Sequence, residues 1–99
     1  MSTPLNDLVT AERRLASLRL LVDSTGYTAS ADLLQMVLHK MGLGVSLDRL
    51  ATDLQWLQEQ GLIEIEICRD VMLAKLAARG MDVAQGLASV PGVARPRPE

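Results

Sequence analysis

Phenylalanine is absent from this chain, and the other aromatics occur once each, as Tyr27 and Trp56. Any core must therefore be aliphatic. The material for it is plentiful, since 48% of the residues are hydrophobic, a share that supports a packed fold and excludes wholesale disorder. Cysteine is nearly missing as well. Cys68 alone cannot close an internal disulfide and has no CxxC partner for metal or redox chemistry, so it reads as a small semi-apolar residue of a reducing compartment. With a single histidine, His39, no Ser/His/Asp set can be assembled, and neither a phosphate-cradling glycine loop nor paired carboxylates in a pocket-like context appear. These absences argue against an enzyme, a bound metal and a cofactor. No apolar run approaches the length of a membrane span. The opening MSTPLNDLVTAERR lacks a basic segment followed by an apolar one, so no secretion signal is read and a soluble, cytoplasmic protein is expected. Positive charge is not in excess either. A net charge of −2 offers little counterion release for strong nonspecific affinity to DNA.

What the chain does have is periodicity. Its 99 residues suit one domain with one modest core, and no internal repeat is visible. Residues 5–23 predict a first helix, with Leu5, Leu8, Val9, Ala11, Leu15, Leu18, Leu21 and Val22 at helical spacing, Thr3 as its cap and Pro4 at its first position. After the turn DSTGYT, Thr28 or Ser30 caps a second helix over 29–41, with Leu33, Leu34, Val37, Leu38 and Met41 on its apolar side. The stretch MGLGVS stops that helix, and Ser46 caps a third over 47–60. Leu47, Leu50, Leu54 and Leu57 form its core-facing stripe, with Ala51 beside them. In LIEIEI, isoleucines alternate with Glu64 and Glu66, the pattern of a strand with one buried face; CRD turns the chain and VMLAKL returns as the partner strand. Residues 77–88 predict a short fourth helix, weakened by Gly80 and Gly86. Residues 1–88 are thus expected to form the domain. The remaining 89–99, SVPGVARPRPE, are expected to be an extended or mobile tail.

Three helices, a hairpin and a closing helix in this order describe a winged helix-turn-helix: mainly α, with a two-stranded β-wing and an extended tail. The segments DLQWLQEQGLIEIE and AKLAARGMDVAQG resemble the end of the reading helix, the wing and the last helix of bacterial winged-helix regulators of the ArsR type. A wider resemblance runs through LRLLVDSTGYTASADLLQMVLHKMG, VSLDRLATDLQWLQEQGLI, LAARGMDVAQG and VPGVARPRP to a small ArsR-like protein of Mu-like phages and prophages. That resemblance implies the fold and a phage source, not an activity. Metal sensing, the chemistry of many ArsR-type repressors, is not implied, because it needs several soft or His/carboxylate ligands that this chain lacks.

With the leucines inward, the third helix turns Asp48, Arg49, Thr52, Gln55, Trp56 and Glu59 outward. Arg49, Thr52 and Gln55 are types that reach base edges or phosphates, and they lie toward the helix start, the end that enters a major groove. Asp48 and Asp53 oppose that reading by repelling phosphates. Arg69, beside Asp70 at the ribbon tip, suits a minor groove or an ordinary solvated turn. Arg95 and Arg97 in the tail suit a phosphate backbone, an acidic partner or plain solubility, and Arg13, Arg14, Arg19, Lys75 and Arg79 complete the dispersed basic groups. Trp56 projects off the leucine stripe, where it either covers the base of the ribbon or anchors a protein interface. His39, beside Lys40 near the end of the second helix, reads as a surface residue. The first and fourth helices carry more apolar positions than one face needs, Leu20 and Leu87 among them. That surplus either packs into the core or joins two copies about a two-fold axis. Two functions follow: a phage regulator or accessory DNA-handling factor bound to double-stranded DNA, or a module that docks a phage or host protein through an acidic third helix and Trp56.

Overall fold

A computed structural model describes residues 4–97. Four helices, α1 (Leu5–Val22), α2 (Ala31–Lys40), α3 (Leu47–Glu59) and α4 (Ala78–Ala84), pack against a sheet of β1 (Thr28–Ser30), β2 (Ile63–Cys68) and β3 (Val71–Leu76). The sheet is antiparallel throughout, in the order β1-β3-β2. The hairpin expected from LIEIEI and VMLAKL is β2–β3, with Ile63 opposite Leu76 and Cys68 opposite Val71. The sheet is three-stranded rather than two-stranded, because Thr28, Ala29 and Ser30 pair with Lys75, Ala74 and Leu73. Three residues are too few to show a strand's alternation, and it is pairing with β3 that makes them one.

The caps explain the helix limits. Ser30 and Ser46 accept hydrogen bonds from the amides of Leu33 and Arg49, each at 3.1 Å, which settles the choice between Thr28 and Ser30 for α2. Pro4 occupies the N-cap of α1 with no side-chain cap bond, while Thr3 lies outside the described residues. At the end of α3, Gly61 takes a φ of +77°, and the amides of Gly61 and Leu62 return to the carbonyls of Gln58 and Leu57. That closure is a Schellman turn, and it delivers the chain directly into β2. The fourth helix is shorter than expected and ends in a similar turn.

The core sits where α1, α2 and α3 meet the inner sheet face. Leu18, Leu21, Leu34, Leu38, Leu50, Leu54, Leu57 and Leu62 are buried with Ile63, Ala74 and Val83. Of the leucine stripe on α3 only Leu47, at the helix start, is exposed. Burial fades along the ribbon, from Ile63 inside to Ile67 at 61% exposure. Gly80 is not a weak point of α4 but the place where that helix touches the sheet: a Cβ there would collide with the carbonyl of Leu62.

The tail lies against the domain. Val90 and Val93 are buried in the main core, the Ala94 amide donates to the Ala11 carbonyl at 3.1 Å, and Pro96 lies beside Gly86. The prolines keep residues 89–97 out of a helix, but two valines three apart hold the strap down. Pro98 and Glu99 lie outside the described residues.

Candidate nucleic-acid interface

Asp48, Thr52, Gln55 and Glu59 recur at spacings of four, three and four along α3 and form its exposed outer ridge. The Thr52 hydroxyl donates to the Asp48 carbonyl at 3.1 Å. Arg49 is also exposed, but it sits on the flank that faces α1, where its Nη2 donates to Thr10 Oγ1 at 3.4 Å.

Asp53 is the main departure from expectation. It does not face outward. Only 1% of its surface is exposed, and its carboxylate meets Arg13 Nε at 2.6 Å and Arg14 Nε at 3.4 Å. Arg13, 2% exposed, also donates to Thr10 Oγ1 at 3.4 Å. Among the described residues no buried side-chain nitrogen or oxygen lacks a hydrogen-bond partner. Such a pair is tolerated inside a protein only when its remaining donors and acceptors are satisfied, and here they are. The sequence carries one signal of this arrangement: Thr10, Arg13 and Ser17 fall at i, i+3 and i+7, a polar stripe on the inward side of an otherwise leucine-rich helix.

Arg14 ties this pair to the tail. Its guanidinium lies 4.0 Å from the centre of the Trp56 ring, and its Nη1 donates to the Gly92 carbonyl at 3.1 Å. Trp56 is half-buried, with Arg14 over its ring and Gly92 of the tail beside it. Gly92 has a φ of +100°, and a Cβ there would lie 2.8 Å from two carbons of the indole. Gly92→Ala is therefore expected to lift the strap from α1. Because Trp56 is the sole tryptophan, its emission should move to longer wavelength and acrylamide should quench it more readily. Unaltered emission would show that the buried valines alone hold the strap.

The other anticipated residues are scattered over the molecule. Arg69 and Asp70 form the two-residue tip of the hairpin, both exposed and both with positive φ, at 52° and 66°. Glu64 and Glu66 line the ribbon's outer side, and Glu64 stands opposite Lys75. Gln58 reaches from α3 to β2, where its Oε1 accepts the Ile65 amide at 2.7 Å. Arg95 is exposed on the strap. Arg97 is exposed too, and its Nη1 pairs with Glu12 Oε1 at 2.7 Å; that hydrogen bond, and then the charge of Glu12, raise its already high pKa. Leu20 is half-buried against the core, whereas Leu87 is 75% exposed, as is Leu5 at the start of α1. No described helix is long and apolar enough to cross a membrane, and no cluster of potential metal ligands occurs among the described residues.

No protein-family model matches the chain. Over 94 residues it is 43% identical to gp26 of Escherichia phage Mu, a span covering 95% of this chain and 97% of gp26. It is 38% identical over 74 residues to a protein of Haemophilus influenzae, covering 74% of this chain and 72% of that one. Among solved structures, RosR of H. salinarum grown from NaBr superposes with a TM-score of 0.63 at 20% identity, over 74% of this chain and 66% of RosR. The complex structure of hsRosR-S1 gives a TM-score of 0.62 at 20% identity, over 73% and 63%. The chain spans just under two thirds of the RosR chain, and the likeness is one of fold.

Proposed function

The chain belongs to the family of phage Mu gp26, and from that footing we propose that it is a winged-helix DNA-binding protein of a Mu-like phage. In this reading it acts in the host cytoplasm as a transcriptional regulator or accessory DNA-handling factor, with no catalytic step, metal or cofactor. The β2–β3 hairpin is the wing and α3 the helix that enters the major groove.

One observation carries the proposal: Asp53 is spent inside the molecule on Arg13 and Arg14, so of the two aspartates that oppose DNA contact only Asp48 remains on the outer ridge. Thr52 and Gln55 then face base edges from the outer ridge, and Arg49 faces a phosphate from the flank. The wing tip adds support. Arginine seldom adopts a left-handed backbone, and glycine or asparagine would form this turn at less cost. An arginine in this costly position suits use of its side chain, and a minor groove is the natural target. Arg95 supplies a further backbone contact. Arg97 is paired with Glu12 and would have to leave it first.

The exposed Leu5 and Leu8 of α1 and Leu87, in the turn that closes α4, favour a homodimer through this side of the molecule, which would set two reading helices at half-site spacing. A second reading, docking of a phage or host protein, draws on Asp48 and Glu59 at the ends of the ridge and on Glu64 and Glu66 beside it. Trp56 serves that reading poorly while Arg14 and Gly92 cover it.

The test is an anisotropy titration of duplex DNA at low salt. Binding is expected, with the logarithm of the affinity falling by about 0.9 per phosphate contacted for each unit of log salt. No binding to any duplex at low salt would move the assignment to the protein-docking reading.

A further inference from the structure

We infer that Thr10 is a positioning residue for DNA binding: its hydroxyl holds the Arg49 guanidinium on the flank of α3, ready for a phosphate of the bound strand. This rests on the DNA reading above and names one contact within it.

The hydroxyl is held in place before any ligand arrives. Thr10 is 8% exposed, and its Oγ1 accepts from both Arg13 Nη2 and Arg49 Nη2, each at 3.4 Å. A hydroxyl has two acceptor lone pairs, so both arginines can be served at once. Arg13 cannot swing away, because its Nε is fixed on the buried Asp53 at 2.6 Å. The chain of contacts runs from a buried carboxylate, through a buried guanidinium and a nearly buried hydroxyl, to an exposed guanidinium.

Charge indicates what that last group awaits. The internal carboxylate of Asp53 already meets Arg13 and Arg14, and Arg49 stands beyond them on the Thr10 hydroxyl. Asp48 sits on the outer ridge, and Arg49 makes no ion pair among the described residues. A surplus positive charge with unused guanidinium donors, beside the first turn of the reading helix, suits a phosphate. An arginine free in solution gives up much of its rotamer freedom when it binds; one held by Thr10 has already done so.

The decisive experiment is a double-mutant cycle on duplex affinity with Thr10→Val and Arg49→Ala. Arg49→Ala should lower the salt slope by about 0.9, the value of one phosphate. Thr10→Val should weaken binding by about two- to tenfold, the worth of one ordinary hydrogen bond. It should have no further effect once Arg49 is gone, and Thr10→Ser should restore wild-type affinity. Equal losses with and without Arg49 would overturn the positioning role alone. Failure of the wild-type protein to bind duplex at low salt would overturn the DNA reading and this contact with it. Should Thr10→Val not fold, 15N relaxation of the Arg49 Nε in the free wild-type protein decides. An ordered Nε supports the inference, and an order parameter below about 0.6 overturns it.

Discussion

Replacing Asp53 with alanine is expected to destabilise the protein by about 3–5 kcal/mol, the usual cost of removing one partner from a buried ion pair. The loss is large because nothing else can take the carboxylate's place. Arg13 is 2% exposed, its Nε would lose a 2.6 Å partner, and Arg14 would lose its anchor at 3.4 Å on the same group. The Arg13 guanidinium would then stay buried beside that of Arg14 with no carboxylate between them. Domains of this size are stable by only about 5–15 kcal/mol, so a substantial fraction of the folded state's margin would vanish. Urea unfolding measures it: with a slope of about 1–3 kcal/mol per molar, the midpoint should fall by about 2 M. The double replacement Arg13→Met with Asp53→Leu should recover most of the loss, because well-packed apolar residues often match a buried pair in stability. A single-variant loss below about 1 kcal/mol would mean that water reaches Arg13, and the case for an internal pair would fail.

The second large effect is expected from Gly80→Ala, and its sign is the point. In an exposed helix interior this change stabilises by about 1 kcal/mol. Here the new methyl would be driven into the Leu62 carbonyl, with Leu76 Cδ1 at 2.9 Å and the Leu62 carbonyl carbon at 3.0 Å. The obstacle is backbone, and that carbonyl already accepts the Ala77 amide at 3.0 Å, so it cannot turn aside cheaply. α4 would have to lift off the sheet and expose Val83 and Ala84. Overpacking of this kind costs about 1–3 kcal/mol, occasionally more. A thermal melt should show a drop of roughly 10 °C, since each kcal/mol moves the midpoint of such a domain by about 4–8 °C. A rise in melting temperature would show that α4 is not seated on Leu62.

The parts of this molecule that could be read from its residues are those fixed by local chemistry. Ser46 caps α3 as its hydroxyl dictates, and Leu50, Leu54 and Leu57 point inward at the spacing a helix requires. The alternating Ile and Glu of β2 form a strand whose inner end is buried. What could not be read depends on partners far along the chain. Asp53 looks like a surface charge until Arg13, forty residues earlier, is brought against it. β1 exists because β3 lies beside it. The tail looked unstructured because proline and arginine dominate its composition, and composition does not reveal that Val90 and Val93 have a groove to enter. At the candidate site the outcome was mixed for the same reason. Thr52 and Gln55 occupy the outer ridge as expected, while Arg49 turned to the flank through a contact with Thr10 that no local pattern announces.

The reach of Gln58 across to Ile65 has a bearing on how the ribbon behaves in a crowded cell. β2 lies at the border of the sheet, joined only to β3, and its far end carries Ile67 in the open. A bare strand of that kind invites another chain to line up along it and start a stack of sheets. By taking the middle amide of the strand at 2.7 Å, the glutamine breaks the row of donors that such a newcomer would need. Its flanking glutamates add repulsion, so the ribbon can stay long without becoming a seed for aggregation.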